Sequence, residues 1–311
     1  MTDNVIETEN LRRDFGEIHA LDGISFEVPS GIIFGFLGPN GSGKTTTIRL
    51  LLGLLEPSAG SAKVLGYDTI FQSDGIRQES GALLEYTGLY ERMTAEDNLE
   101  FYGRVWRIPA EERRARIHEL LDSIGLWERR REVVRDWSRG MRQKLAVARA
   151  LLHHPKLIFM DEPIAGLDPV AAAALREDLE TLVKQRGTTV FLTTHNLAEA
   201  ERLCNKLAVI HEGKLLAIGS PDELGRKQGG MRLVVIGSGF GEGALASLRA
   251  HPEVSDVRLA EGRILIDHKT DIGTSPLVRI LVNAGVEIEE VRKERASLEE
   301  VFLTLVEEEN V

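Results

Sequence analysis

Nine residues, Gly38 to Thr46, read Gly-Pro-Asn-Gly-Ser-Gly-Lys-Thr-Thr and constrain the fold more than any other stretch of the chain. They follow the apolar run Ile32 to Leu37 and precede Ile48, Leu51, Leu52 and Leu55 at helical spacing, so the order is strand, glycine loop, helix. In that context a G-x-x-x-x-G-K-[ST] string turns backbone N–H groups inward and, with the helix N-terminus, cradles a polyphosphate. Gly38, Pro39, Asn40, Gly41, Ser42 and Gly43 supply the cradle. Lys44 is placed to reach the β- and γ-phosphates, Thr45 to put its hydroxyl on Mg²⁺, and Thr46 to add a phosphate contact. A glycine-rich turn that merely caps a helix is the structural alternative. It leaves the preceding strand unexplained.

The remaining composition narrows the class. With 311 residues, 42% of them hydrophobic, the chain can bury one large or two ordinary domains. Gly or charge interrupts the apolar stretches well before the ~18 residues that a bilayer span needs, and no membrane span is expected. The acidic start MTDNVIETEN has no apolar h-region, so no secretory signal is expected either. A single cysteine, Cys204, permits no internal disulfide and suits the cytoplasm; in the helical stretch NLAEAERLCNK it is expected to pack. The formal net charge of -11 argues against nucleic acid as a partner. Arginines nevertheless crowd the middle of the chain, from Arg104 to Arg142. Two readings stay open for them: a solvated helical face paired with Glu, or a surface for a partner.

In chain order, Val5 to Leu11 and Ile24 to Val28 alternate as strands on either side of Phe15-Gly16. Phe15 either stacks on a nucleotide base or packs at an edge or core, and its position does not decide between these. Ser61 to Leu65 and Gly81 to Leu84 read as strands. A helical region follows to about Leu152, with helices over Ala95 to Trp106, Ala110 to Ile124 and Ser138 to Leu152, punctuated by Pro109, Gly125 and Asp136. A helical insert in an α/β chain often serves as a lever or docking surface.

Leu157 to Met160 form an uninterrupted apolar strand that ends in Asp161-Glu162-Pro163. A buried parallel strand delivers such carboxylates to the rim of the sheet. Asp161 suits holding Mg²⁺ through one of the metal's own ligands, and Glu162 is placed to orient or deprotonate a water aimed at a γ-phosphate. A second such strand, Thr188 to Thr193, leads to His195; a lone histidine after a strand is more often structural than catalytic.

Strands follow in KLAVIHEG and KLLAIGS, then a helix start at Ser220-Pro221, with a linker expected over Gly225 to Gly230. Beyond it the order strand, helix, strand, strand, helix, strand predicts a small ferredoxin-like α+β domain. A last helix opens on the capping box Ser297-Leu298-Glu299-Glu300. No catalytic constellation is present in this part.

One further string precedes the carboxylate strand: Trp137-Ser138-Arg139-Gly140-Met141-Arg142-Gln143. With the phosphate loop, Asp161-Glu162 and His195 in order, it resembles the signature of ABC ATPases, and Val5 to Leu224 resembles the nucleotide-binding subunit of an ABC transporter. The C-terminal extension, ending ASLEEVFLTL, resembles that of ATPases serving ABC-2 type exporters of the daunorubicin-resistance kind. The implied fold is an α/β P-loop ABC ATPase domain over 1–225 with a helical subdomain at about 86–152. A ferredoxin-like accessory domain over 226–311 completes it.

The resemblance also implies roles. Phe15 becomes the adenine-stacking aromatic, His195 the switch histidine on the γ-phosphate, and Asp168, in Gly166-Leu167-Asp168-Pro169, part of the loop that signals across an ATPase dimer. Ser138, Arg139, Gly140 and Met141 would close in trans over ATP held by a second subunit, whether an identical copy or a similar paralogue. Mg²⁺ would accompany ATP, with Thr45, Glu85 and Asp161 around the metal. Two departures stand out: S-R-G-M where the common family form is S-G-G-Q, and Glu85 where a glutamine is expected. The expected function is ATP hydrolysis that powers an exporter through separate ABC-2 type transmembrane permease subunits, at the cytoplasmic face of the membrane. A soluble ABC ATPase acting on ribosomes or DNA is the rival; it usually carries two cassettes or a coiled-coil insertion, and neither is present here. A C-terminal domain that senses a ligand is compatible with the main reading.

Overall fold

The computed structural model describes residues 4–229, 231–260, 262–268 and 273–309. Two compact units divide the chain, Met1–Ile218 and Gly219–Val311.

The first unit is built on a six-stranded sheet with strands in the order Lys214–Gly219, Lys206–His211, Ile33–Leu37, Thr189–Thr194, Leu157–Asp161, Ser80–Leu83. The last five run parallel. Its three central strands are buried along their whole length, as uninterrupted apolar runs require when both faces of a parallel sheet are covered. Phe34, Phe36, Phe159 and Phe191 are fully buried, and Phe26 joins them with ring centroids 5.4–6.3 Å from three of these. Phe26 also explains a departure from the expected strand Ile24 to Val28. The chain breaks between the strands Ile18–Ile24 and Glu27–Pro29 and drops this ring into the core. A second, mainly antiparallel sheet pairs the long strand Asn4–Phe15 with Ile18–Ile24, Glu27–Pro29 and Ala59–Val64.

Gly35, in the centre of the phosphate-loop strand, leaves the space that Cys204 fills: a Cβ there would lie 2.6 Å from the Cys204 sulfur. Burial pushes the thiol up to about 12, so it stays protonated and serves as packing.

Helices Ala95–Val105, Ala110–Ser123 and Arg139–Ala150 form the helical insert at the expected places. Many of its arginines are used internally. Arg113 grips Glu100 through two nitrogens at 2.7 and 2.8 Å, Arg129 pairs with Glu132, and Arg130 lies 4.1 Å from the Trp127 ring centroid. Buried Arg116 and half-buried Arg149 donate to the carbonyls of Leu151 and Ala82. Paired arginines thus account for much of the cluster. The helix Pro169–Arg186 has no counterpart in the sequence reading; Asp168 starts it and Gly187, at φ 65°, ends it.

The second unit holds an antiparallel sheet in the order Val254–Ala260, Arg263–His268, Met231–Ser238, Glu287–Arg295, with helices Glu242–Arg249 and Thr274–Asn283 between its strands. Numbered along the chain this order is 2-3-1-4, the ferredoxin-like arrangement. The boundary lies before the expected 225/226. Residues 221–229 are helical where a linker was expected, and residue 230 lies outside the described residues. Leu224 is buried in this helix, which contacts the strand Glu287–Arg295 and the last helix, Leu298–Glu309, and so belongs to the second unit. The capping box forms reciprocally: Ser297 N–H donates to Glu300 Oε2 at 3.0 Å and Glu300 N–H to Ser297 Oγ at 3.3 Å.

Candidate functional site

The three central strands end side by side, and their C-terminal ends carry the phosphate loop, the acidic pair and His195. Open α/β sheets bind ligands at this edge. Gly41 and Gly43 adopt φ of 85° and 105°, which side chains rarely tolerate. At Gly43 a Cβ would also lie 2.5 Å from the carbonyl oxygen of Ala20, so the neighbouring strand seats directly against the loop.

The loop wraps the Lys44 ammonium. Lys44 Nζ donates to the carbonyls of Gly38 at 2.8 Å and Pro39 at 2.9 Å and lies 3.5 Å from Glu162 Oε1. Thr45 donates its hydroxyl hydrogen to Asp161 Oδ2 at 2.7 Å, joining the helix start to the carboxylate strand across 116 residues of sequence. Thr193, missed in the sequence, organises both carboxylates. Its hydroxyl donates to Asp161 Oδ1 and accepts the Glu162 N–H at 3.1 Å. The sign available beforehand was only a threonine at the end of a buried apolar strand.

Glu162 has φ of 50°, an uncommon conformation for a non-glycine residue, held by its N–H bonds to Thr193. Its Oε1 is buried and accepts no well-directed hydrogen bond among the described residues, although His195 Nδ1 lies 2.9 Å away. The side chain as a whole stays 24% exposed, so the carboxylate can meet a further proton donor.

A cleft of ≈ 410 Å³ opens here, and Asn40, Gly41, Gly43, Lys44, Thr45, Thr46, Glu85, Asp161 and Glu162 share its lining with Ala20, Arg139 and Ala165. Glu85, just after the strand Ser80–Leu83, therefore faces the same space as Thr45 and Asp161. Ser42 is buried inside the loop with its hydroxyl unpartnered among the described residues.

Other expected residues stand apart from the cleft lining. Phe15 is 44% exposed at the end of its strand, which removes the core alternative, and Arg13 sits 4.6 Å from its ring centroid. Ser138 caps the helix Arg139–Ala150 by accepting the Met141 N–H at 3.2 Å. A Cβ at Gly140 would meet the Ala171 methyl at 2.8 Å. Asp168 caps the helix Pro169–Arg186, accepting from Val170 and Ala171. Gln143, three residues beyond Gly140, donates to the Pro163 carbonyl at 2.8 Å and ties the helical insert to the segment after Glu162.

The ABC transporter family matches residues 21–165. Over nearly the whole chain the sequence is similar to the daunorubicin resistance ATP-binding protein DrrA3 of Streptomyces coeruleorubidus, 38% identical over 98% of this chain and 96% of that protein. The bacitracin transport ATP-binding protein BcrA of Bacillus licheniformis is 32% identical over 97% of each chain. Among solved structures, an ATP-binding subunit of an ABC transporter is 32% identical, with a TM-score of 0.65 over 73% of this chain and 94% of that one. CbiO1 from Clostridium perfringens, part of an ABC transporter complex, gives 0.68 at 26% identity over 72% and 92%. These full-length relatives lend the ribosome- or DNA-acting alternative no support. The P-loop fold, the ordered cleft and the full-length similarity together establish that the chain belongs to the ABC transporter family, among the ATP-binding, ATP-hydrolysing subunits of its exporters.

Proposed function

We propose that the cleft at the strand ends is the ATP site and that hydrolysis there drives export through separate ABC-2 type transmembrane permease subunits. The convergence of Lys44, Thr45, Asp161 and Glu162 on one cleft carries this reading. The backbone N–H groups of Gly41 to Thr46 and the Lys44 ammonium bind the phosphates. Mg²⁺ fits the Thr45–Asp161 pair, a hydroxyl and a carboxylate oxygen 2.7 Å apart, and when bound would neutralise phosphate charge. No group of three or more His, Cys, Asp or Glu suited to a metal occurs among the described residues.

Glu162 accepts a proton from water as the water oxygen bonds to the terminal phosphorus and the bond to the bridging oxygen of ADP breaks. His195, whose Nδ1 lies 2.9 Å from Glu162 Oε1, reaches toward the γ-phosphate. Phe15, exposed on its strand, stacks on adenine. Two subunits pack so that Ser138 to Met141 close over ATP held by the other, and Asp168 lies in the loop that couples the two sites. ATP binding favours this closed pair and hydrolysis releases it, a population shift that the helical insert passes to the membrane subunits. No helix among the described residues is long and apolar enough to cross a membrane. The pore belongs to the permease subunits, with this subunit peripheral on their cytoplasmic side. Full-length Glu162→Gln with ATP and Mg²⁺ tests the reading by sedimentation. A nucleotide-dependent dimer is expected; a monomer at saturating ATP would overturn the closure scheme.

A further inference from the structure

Arg139 is the residue that departs from the common signature, and its side chain lies in an unexpected place. It opens the helix Arg139–Ala150 and lines the cleft of its own subunit together with Lys44, Thr45 and Glu162. Gly166 makes this possible. A Cβ at Gly166 would lie 2.2 Å from Arg139 Nη1 and 2.5 Å from Cζ, so the guanidinium occupies the room that the missing side chain leaves. Gly166 is also at φ 70°, where glycine is favoured independently. Beside it, Ala165 completes the path into the cleft.

The charges around the cleft give that guanidinium a task. Glu85, Asp161 and Glu162 line it as carboxylates, and apart from Arg139 the lining offers only the Lys44 ammonium in compensation. A triphosphate therefore approaches a wall with an excess of negative charge. Among the described residues Arg139 has neither an ion pair nor a hydrogen bond, so its donors remain available. An arginine fork matches phosphate oxygens in two parallel hydrogen bonds, and Lys44 already serves the inner part of the cradle.

We infer that Arg139 binds the terminal phosphate of the nucleotide held by its own subunit, in cis, before any second subunit closes over it. The inference rests on the cleft being the ATP site. It gives the altered signature residue a different role from the in-trans contact that the resemblance implies for Ser138 to Met141. The contact would link the helical insert to the bound nucleotide within one chain, and it would make Arg139 a group that distinguishes ATP from ADP.

The test uses the full chain at concentrations where sedimentation reports a monomer. Equilibrium dialysis with Mg²⁺ then compares a non-hydrolysable ATP analogue with ADP for wild type, Arg139→Ala, Arg139→Lys and Lys44→Ala. For Arg139→Ala the analogue should bind about tenfold more weakly, as expected for losing a hydrogen-bonded charge, while ADP affinity changes by less than about twofold. Arg139→Lys should recover part of the loss, which a merely structural role would not produce. Wild-type analogue binding by monomeric Arg139→Ala would overturn the inference, and equal losses for analogue and ADP would overturn the terminal-phosphate contact. If Lys44→Ala weakens both ligands in the same experiment, the cleft reading stands whatever Arg139 does. If Lys44→Ala binds like wild type, the cleft reading fails and the inference fails with it.

Discussion

Glu162 Oε1 lies 2.9 Å from His195 Nδ1 and 3.5 Å from Lys44 Nζ, so one carboxylate oxygen joins the ends of two strands to the phosphate loop. Removing its ability to accept a proton, without removing its shape, separates binding from chemistry. Glu162→Gln should keep ATP affinity and lose turnover by a factor on the order of 10²–10⁴, the range for a positioned base. Steady-state phosphate release alongside nucleotide binding checks this. Hydrolysis at the wild-type rate would remove Glu162 from the base role.

Thr193 is fully buried, and its hydroxyl serves Asp161 and the Glu162 N–H together. Thr193→Val keeps the shape but leaves an acceptor and a donor short of a partner. A stability loss of about 1–3 kcal/mol is expected, with a fall in kcat larger than any change in KM. Urea unfolding and a kinetic series provide the two readings. An unchanged urea midpoint together with unchanged kcat would mean that the carboxylates are positioned without it.

Glu85 puts a formal charge where the family normally has a neutral amide, and it faces the same cleft as Thr45 and Asp161. If its carboxylate serves Mg²⁺, Glu85→Gln keeps an oxygen but weakens the metal, and half-maximal ATPase activity moves to higher Mg²⁺. Glu85→Ala should lower the maximal rate as well. A Mg²⁺ titration at fixed ATP in which both variants trace the wild-type curve would assign Glu85 to the exposed rim.

The second unit carries its own pH dependence. Burial alone would raise the Asp267 carboxyl, but hydrogen bonds from Arg232 and Arg258 outweigh it and hold the group below its ordinary value; Glu300 is lowered against burial in the same way by Arg232 and Ser297. Carboxyls depressed in the folded state stabilise it above their unfolded values, near 4, and that stability is lost as pH falls through the folded ones. Amide exchange across Leu233 to Val235, corrected for intrinsic rates, should therefore speed up on acidification below about pH 4. Arg232→Met should flatten that dependence. If it leaves the acid sensitivity intact, the ion pairs are not its source.

Chain length at the boundary gives another check. A chain ending at Ile218 keeps every strand-end residue of the cleft and drops the helix Pro221–Gly229 whole. It should bind ATP like the full chain. One ending at Arg226 keeps Leu224, buried in the full chain, without the last helix and strand that its helix contacts, and should aggregate more readily. Light scattering beside nucleotide titration distinguishes them, and indistinguishable behaviour would put the functional boundary elsewhere.

What could be read beforehand followed local rules. The glycines of the phosphate loop, the apolar strand before Asp161 and the capping box at Ser297 each declare themselves within a few residues. What could not be read depends on partners distant in sequence. Thr193 finds Asp161 32 residues away, Gln143 finds Pro163 across 20, and Arg139 reaches its cleft only because Gly166 leaves room. The break at Phe26 had the same origin. Alternation predicted one continuous strand, and the packing of Phe26 against Phe34, Phe36 and Phe191 overrode it. The helix Pro169–Arg186 does carry a local start signal in Asp168-Pro169, the same residues that the family resemblance places in a signalling loop.

The sulfur packed against Gly35 also fixes how this subunit can be observed. Cys204 is the chain's only cysteine, buried and held protonated, so thiol reagents find no native target in the folded state. Any cysteine introduced at an exposed position becomes the sole reactive one. A single spin label on the helical insert, for instance at the exposed Arg131, would report one distance between two copies, and that distance would change only if the copies meet and part during the ATPase cycle.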